Sequence, residues 1–326
     1  MAQGHHEIFD RFARTAQQSH ADCVENFVGA KTRHEYEAEL PPTSAGQKMP
    51  FSVSGRSLTT DEDPSLPERL SEDYFEWIDM LEAIDQAKGQ FVMVELGAGY
   101  GRWLVNAAAA VRRHKVRPNI PARFIGVEAS PLRFRWLVQN FKDNQIDVAT
   151  NRLVWGAVSD DEEPGFFPIY HAHWIGNQGH TYGAPFEKSD GSRFQRVDLK
   201  TDLNKLYPDV EYYVCNAAPG QLFIKVPSFS LARLIAVCPR VDLIDMDVQG
   251  AELAIVRSGM AELSRKVKRV HIATHGEDIE REIAQTFAAS GWQNVWCMPY
   301  NRVHATIYGE MYFCDGIQGW KNPAFS

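Results

Sequence analysis

Phe91-Val-Met-Val-Glu-Leu-Gly-Ala-Gly-Tyr-Gly101 is the stretch whose reading decides the fold. Its first four residues are a short apolar run of the kind that becomes a strand buried on both faces of a parallel sheet. Glu95 closes the run, and Gly97, Gly99 and Gly101 follow at alternate positions. The next segment, Arg102 to Arg113, is rich in alanine and strongly helix-forming. Strand, glycine turn and helix make the opening unit of a nucleotide-binding α/β fold, in which glycine permits a tight turn and close approach of a ligand. The dinucleotide fingerprint G-x-G-x-x-G needs a further glycine where Arg102 stands. Glu95 also puts negative charge directly before the glycines, which disfavours a pyrophosphate at the helix N-terminus and suits a ligand with a cationic end.

Working outward, Ala122 to Glu128 reads as a second strand tipped by an acid, followed by Ala129. A carboxylate at this tip suits hydrogen bonding to the two hydroxyls of a ribose. Pro131 to Asn140 reads as the second helix, and Val154 to Ser159 as a third strand that includes Gly156, Ala157 and Val158. The pattern Glu95-x-Gly97-x-Gly99-x-Gly101 resembles the first motif of class I S-adenosylmethionine-dependent methyltransferases. That resemblance implies Glu95 near the methionine amino group, the backbone of Gly97, Ala98, Gly99, Tyr100 and Gly101 along the cofactor, Glu128 and Ala129 at the ribose, and Ala157 beside the adenine.

A second focus lies at Val241 to Val256. Leu243 to Val248 reads as a central strand with Asp247 near its C-terminal end, Gly250 permits a sharp turn, and a helix starts at Ala251. Asp245-Met-Asp-Val-Gln-Gly-Ala-Glu-Leu253 resembles the I-D-V-E-G-A-E signature of the FkbM-type methyltransferase family. The segments 226–234 and 267–275 resemble that family as well, and the likeness spans about residues 90 to 295. Two positions depart from it: Gln249 stands where glutamate is usual, and Asp245 where lysine is common.

Val270 to Thr274 reads as another strand with His275 beyond its tip. Neighbouring strand tips form the ligand crevice of an open parallel sheet, so Asp247 and His275 are expected to converge there. An imidazole titrating near neutrality suits general-base removal of a hydroxyl proton. The alternative chemistry uses Asp247 with His275 or Asp278 to hold a divalent metal such as magnesium. Ile279 to Ala289 reads as a helix, Asn294 to Met298 and Ala305 to Tyr308 as a pair of edge strands, and Gly309 to Ser326 as a packed tail.

The remainder sets bounds. At 326 residues the chain can bury a large core. Its formal net charge of -8 argues against a mainly electrostatic nucleic-acid partner. Five scattered cysteines without a C-x-x-C pair suit a reducing compartment. With no signal-like start and no apolar run of membrane-spanning length, a cytoplasmic protein is expected. Residues 1–70 read as an N-terminal arm, cap or dimerisation element, with a short amphipathic helix from Ile8 to His20 and then a segment punctuated by Pro41, Pro42, Pro50, Pro64 and Pro67. Ser71 is the expected N-cap of a helix reaching Ile84, with Tyr74, Trp77, Ile78 and Leu81 facing the core. Residues 71–326 form the expected cofactor domain, interrupted at about 166–223 by an insertion whose His171-x-His173 pair could be metal ligands or substrate contacts.

The combined expectation is a doubly wound, mostly parallel α/β sheet with helices on both faces. The resemblance implies a methyltransferase acting on a hydroxyl oxygen of a small molecule such as a sugar, glycolipid or polyketide-like metabolite. A nicotinamide-dependent oxidoreductase is disfavoured by Arg102 and by an acid roughly thirty, rather than about twenty, residues beyond the loop. A non-catalytic cofactor-binding or assembly protein is the other alternative.

Overall fold

The structure, a computed structural model, describes residues 6–16, 18–37, 72–171, 192–198 and 210–325. Before the central sheet come three short antiparallel strands, β1 (Gln18–Ser19), β2 (Cys23–Glu25) and β3 (Lys31–Arg33), then a single helical turn α1 (His34–Glu37) and the helix α2 (Glu72–Gln86). The central sheet opens with β4 (Phe91–Leu96), all six residues buried. Helix α3 (Arg102–Arg113), β5 (Ala122–Glu128), helix α4 (Pro131–Asp143) and β6 (Arg152–Trp155) follow.

Two excursions then leave the sheet. The strand expected over Val154–Ser159 breaks at Gly156, where the added Cβ of any other residue would lie 2.6 Å from the Phe229 ring. Its second half, β7 (Ala157–Ser159), turns away from the sheet. After it come β8 (Gly165–His171), β9 (Phe194–Val197), β10 (Tyr212–Cys215) and β11 (Ala218–Val226), which form a separate antiparallel sheet in the order β8-β11-β10-β9. Then β12 (Ser228–Ser230) pairs in parallel with β7 and leads into the single-turn helix α5 (Leu231–Leu234). His173 lies outside the described residues, as do Ser71 and the five prolines between positions 41 and 67.

The chain re-enters the central sheet at β13 (Leu243–Met246) and continues through helix α6 (Glu252–Lys266), β14 (Arg269–Thr274), helix α7 (Glu277–Ala289) and β15 (Gln293–Met298). A hairpin of β16 (Arg302–Thr306) and β17 (Gly309–Phe313) precedes the last strand, β18 (Gly316–Lys321). The sheet order is β15-β18-β14-β13-β4-β5-β6, with β18 antiparallel to both neighbours and the five strands from β14 to β6 parallel. This is the doubly wound α/β architecture expected of a class I methyltransferase-like chain.

Alternation along the strands builds the two layers. Phe91 and Met93 face a core made with α2 and α3, whereas Val92, Val94 and Leu96 face a core made with α5, α6 and α7. The N-terminal segment joins the first layer. Ile8, Phe9, Phe12, Phe27 and Val28 are buried against it, with Phe9 beside Tyr74 and Phe27 beside Trp77.

Two local expectations are corrected. The helix predicted over Ile8–His20 is a 3-10 turn, Glu7–Arg11, because Phe12 and the following residues run extended against the end of α3; Ala13 N–H donates to the Arg113 carbonyl at 2.8 Å. The run Ala305–Tyr308 does not enter the central sheet. Its edge is closed by β15 and β18, and β18 lies within the segment expected to be a packed tail.

Candidate active site

Three parallel strands, β5, β4 and β13, end side by side, and their tips are laced together by backbone. Gly97 and Ala98 N–H both donate to the Val127 carbonyl, at 3.0 and 2.8 Å, and Asp247 N–H donates to the Leu96 carbonyl at 2.9 Å. The loop on this seam uses left-handed backbone at Gly97, Gly99 and Gly101, with φ of 80°, 53° and 73°. At Gly97 an added Cβ would sit 1.8 Å from the Asp247 carbonyl oxygen, so the loop and the β13 tip touch backbone to backbone. At Gly99 the same atom would meet nothing within 4 Å. Gly99 therefore presents bare, open backbone at the crevice, a surface on which a ligand can lie.

Glu128 holds this loop in shape. One carboxylate oxygen accepts from Gly99 N–H and the other from Ser130 N–H, each at 2.7 Å, and the side chain is buried. Asn140 Nδ2 donates to the Tyr100 carbonyl at 3.0 Å. The Tyr100 ring stacks on Tyr36, with centroids 5.2 Å apart, so the N-terminal segment reaches the glycine loop. Nothing local to residue 36 signals this contact. Ala129 contributes its carbonyl to Trp155 Nε1 at 3.0 Å. Ala157 is buried in β7 with Ile169, Tyr212 and Leu222, so its side chain is not exposed at the crevice.

Glu95 has a structural task that the sequence did not announce. Gly101 precedes α3 without a side chain to cap it, and the Glu95 carboxylate takes over, accepting from Trp103 N–H at 3.4 Å and Leu104 N–H at 3.3 Å. It lies beneath the loop, buried beside Asp245, rather than at the crevice mouth. Burial, with repulsion from Asp245 behind it, holds its carboxyl well above the ordinary range. Glu76 of α2, also held above that range, donates a hydrogen bond to Asp245.

The floor of the crevice forms where β13, β14 and β18 meet. Asp247 follows β13 and His275 follows β14. Asp315 precedes β18, whose antiparallel course brings its start beside the end of β14. His275 Nδ1 is 2.8 Å from Glu252 Oε1, while its Nε2 is 3.5 Å from Asp247 and 3.6 Å from Asp315. Glu252, fully buried at the start of α6, also accepts from Gly250 N–H at 3.0 and 3.1 Å. Gln249 Nε2 donates to Asp247 at 2.6 Å; the amide makes an attractive contact where a glutamate would face a second carboxylate. Burial opposes a charged His275 imidazole, but the hydrogen bond to Glu252 and the charges of Asp247, Glu252 and Asp315 prevail and push it up to about 9. Asp247 is shifted upward by desolvation, although its side chain keeps 38% exposure and water tempers the effect. Asp278 is not part of this site. It is 81% exposed on α7 and paired with Arg281 at 2.6 Å.

Sequence reasoning thus selected Asp247 and His275, which do meet, and passed over Glu252, Asp315 and Tyr36. Glu252 lay within the quoted motif and could have been found there. Asp315 follows an unremarkable aromatic stretch and gave no signal.

No protein-family model matches the chain. Over 270 residues it is 24% identical to a putative methyltransferase of Jannaschia sp. (strain CCS1), covering 82% of this chain and 81% of that protein. Among solved structures it is similar to a precorrin-6y C5,15-methyltransferase of Geobacter metallireducens GS-15, with 10% identity, a TM-score of 0.37, and coverage of 74% of this chain and 86% of that one. It is also similar to the methyltransferase FkbM of Methylobacillus flagellatus KT, with 11% identity, a TM-score of 0.38, and coverage of 72% of this chain and 44% of that one. These structural likenesses are loose; the strand order and polarity carry the assignment of fold. Among the described residues no helix is long and apolar enough to cross a membrane.

Proposed function

We propose that the chain is an S-adenosylmethionine-dependent methyltransferase that acts on a hydroxyl oxygen of a small molecule. The observation that carries this reading is the open left-handed backbone at Gly99, clamped by Glu128 at the tip of the first sheet strand and flanked by the tip of β13. The 24% identical relative described as a putative methyltransferase supports the same class. The residues present fit the cofactor. Gly99 leaves room for it, and each Glu128 oxygen has more than one acceptor direction, so the carboxylate can hold the loop and meet a ribose hydroxyl.

When bound, the cofactor would supply a methyl group on a cationic sulfur; the acceptor oxygen would form the new C–O bond as the C–S bond breaks, with the electron pair staying on sulfur and the hydroxyl proton passing to solvent. The loop from Gly97 to Gly101 and Glu128 align the donor, a contribution of position rather than of covalent chemistry. Asp247 and His275, at the crevice floor, are the groups beside which the acceptor hydroxyl is placed. The acceptor class of sugars, glycolipids or polyketide-like metabolites rests on the FkbM-type resemblance alone.

Calorimetric titration with S-adenosylhomocysteine tests the reading. Saturable binding by the native chain, weakened at least about tenfold by Glu128→Ala, is the expected result, a loss of about 1.4 kcal/mol. A folded protein that binds no S-adenosylhomocysteine refutes it, and unchanged affinity in the variant removes Glu128 from the cofactor site.

A further inference from the structure

We infer that Asp247, His275 and Asp315 form a site for one divalent first-row cation, with Glu252 as the residue that orients the histidine. Four observations converge. First, carboxylates from two neighbouring strand ends approach one imidazole at the end of a third, Asp247 and Asp315 lying 3.5 and 3.6 Å from His275 Nε2. Second, His275 Nε2 is buried without a hydrogen-bond partner, although two carboxylates face it. Third, the separations fit an ion. Two ligand atoms, each about 2.1 Å from a cation, stand about 3.0–3.5 Å apart for right-angle to tetrahedral geometry, and the carboxylate oxygens lie at and just beyond the upper end of that range, 3.5 and 3.6 Å from Nε2. Fourth, Glu252 is committed elsewhere, to Gly250 N–H and to His275 Nδ1.

That last arrangement decides the tautomer. In the neutral ring, a proton on Nδ1 donated to Glu252 leaves the Nε2 lone pair facing Asp247 and Asp315, and a cation there would replace the Nε2 proton of the imidazolium. Metal-binding histidines are commonly prepared by a carboxylate on the other ring nitrogen in this way. Asp247, Glu252 and His275 each offer a donor atom within 4.8 Å of the others, and Asp315 approaches the same imidazole at Nε2, 3.6 Å away. One imidazole and two carboxylates suit manganese, iron or zinc better than calcium, which takes six to eight oxygen ligands.

The site's role in the reaction rests on the methyltransferase reading; the site itself does not. A cation at the crevice floor lowers the pKa of an acceptor hydroxyl, so proton loss would need no strong protein base. His275, engaged through Nδ1 and buried at Nε2, would then be a ligand rather than the base.

Calorimetry with manganese(II) chloride, run on the full chain with and without S-adenosylhomocysteine, tests the inference directly. One saturable ion per chain is expected, weakened at least about tenfold by Asp315→Asn and about 10–100-fold by Glu252→Gln. Asp278→Asn should bind as the native chain does. Cobalt(II) in place of manganese should give a visible spectrum that changes in His275→Gln. Circular dichroism and S-adenosylhomocysteine affinity report whether each variant is folded. A native chain that binds S-adenosylhomocysteine but no manganese up to millimolar concentration overturns the cation site and leaves the methyltransferase reading standing. Manganese binding that is insensitive to Asp315→Asn in a folded variant overturns the assigned residues. Manganese binding lost in Asp315→Asn, without any S-adenosylhomocysteine binding, supports the site and sinks the methyltransferase reading.

Discussion

Gly97 and Gly99 are two residues apart in one loop, yet the structure assigns them opposite sensitivities to alanine. At Gly97 the backbone is left-handed with φ of 80°, which costs an L-residue about 1–2 kcal/mol. The added methyl would also lie 1.8 Å from the Asp247 carbonyl oxygen, whereas real Cβ contacts essentially never fall under 3.0 Å. The β13 tip must therefore retreat by about 1.2 Å, the difference of those two distances. Such a shift strains the Asp247 N–H bond to the Leu96 carbonyl, worth about 1 kcal/mol, and overpacking adds about 1–3 kcal/mol. Gly97→Ala should lose about 3–6 kcal/mol in urea denaturation. Gly99→Ala, with φ of 53° and nothing within 4 Å, should lose only the conformational term of about 1–2 kcal/mol. Its methyl would project into the crevice and weaken S-adenosylhomocysteine at least about tenfold, or 1.4 kcal/mol. Equal destabilisation by the two variants, measured with unchanged m-values, would refute the claim that the loop rests backbone to backbone on β13.

Other consequences are checked more briefly. Asp79 is fully buried and accepts from Arg269 and from His271, so Asp79→Asn should cost about 3–5 kcal/mol at neutral pH by chemical denaturation. Desolvation opposes the Asp79 carboxylate, but Arg269 and His271 hold its pKa below the ordinary value. A depressed pKa gives stability that is present above the unfolded value near pH 4 and is lost as pH falls through the folded one. The acid limb of stability between about pH 5 and pH 2 should accordingly flatten in Asp79→Asn relative to the native chain. Asn144 exchanges bonds of 2.8 Å with both Lys31 N–H and the Lys31 carbonyl. Asn144→Ala should cost about 1–3 kcal/mol and speed proteolysis within residues 18–37, measured by timed digestion.

What the sequence made legible was local. The apolar run of β4, the alternating glycines after it and the acid at the end of β5 each signal themselves within about ten residues. The edge of the sheet did not, for a physical reason. A Cβ at Gly319 would lie 2.4 Å from the Trp296 ring, and one at Gly316 would lie 2.3 Å from Thr274 Oγ1. Packing between β14 and β15 thus demands glycine in β18, and glycine is what makes that strand look like a tail. The alternating run at Ala305–Tyr308 looked more like an edge strand and pairs instead with the neighbouring β17. The capping role of Glu95 was not legible either, because it follows from the helix after Gly101 lacking a cap of its own. Asp315 and Tyr36 enter the site through contacts distant in sequence, which no local pattern announces.

The departure at Asp245 gains sense from α2. That helix carries acids at Asp73, Glu76, Asp79 and Glu82, a spacing of three that keeps them along one face. Asp73 meets Arg102 of α3, Glu76 meets Asp245, Asp79 meets His271 and Arg269, and Glu82 meets Lys321 and the same Arg269. A lysine at 245 would make the second contact an ion pair. With aspartate there, the contact survives only as an acid donating to a carboxylate; burial first, and then the charge of Asp245, hold Glu76 above its ordinary range. The polar seam therefore runs from the α3 N-terminus beneath the glycine loop to the far end of β18. It fixes the register of α2 by chemistry rather than by shape alone. The same helix buries Tyr74, Phe75, Trp77 and Ile78 against the sheet layer and the N-terminal segment, so an error of one residue in that register would strand both the charges and the aromatic core.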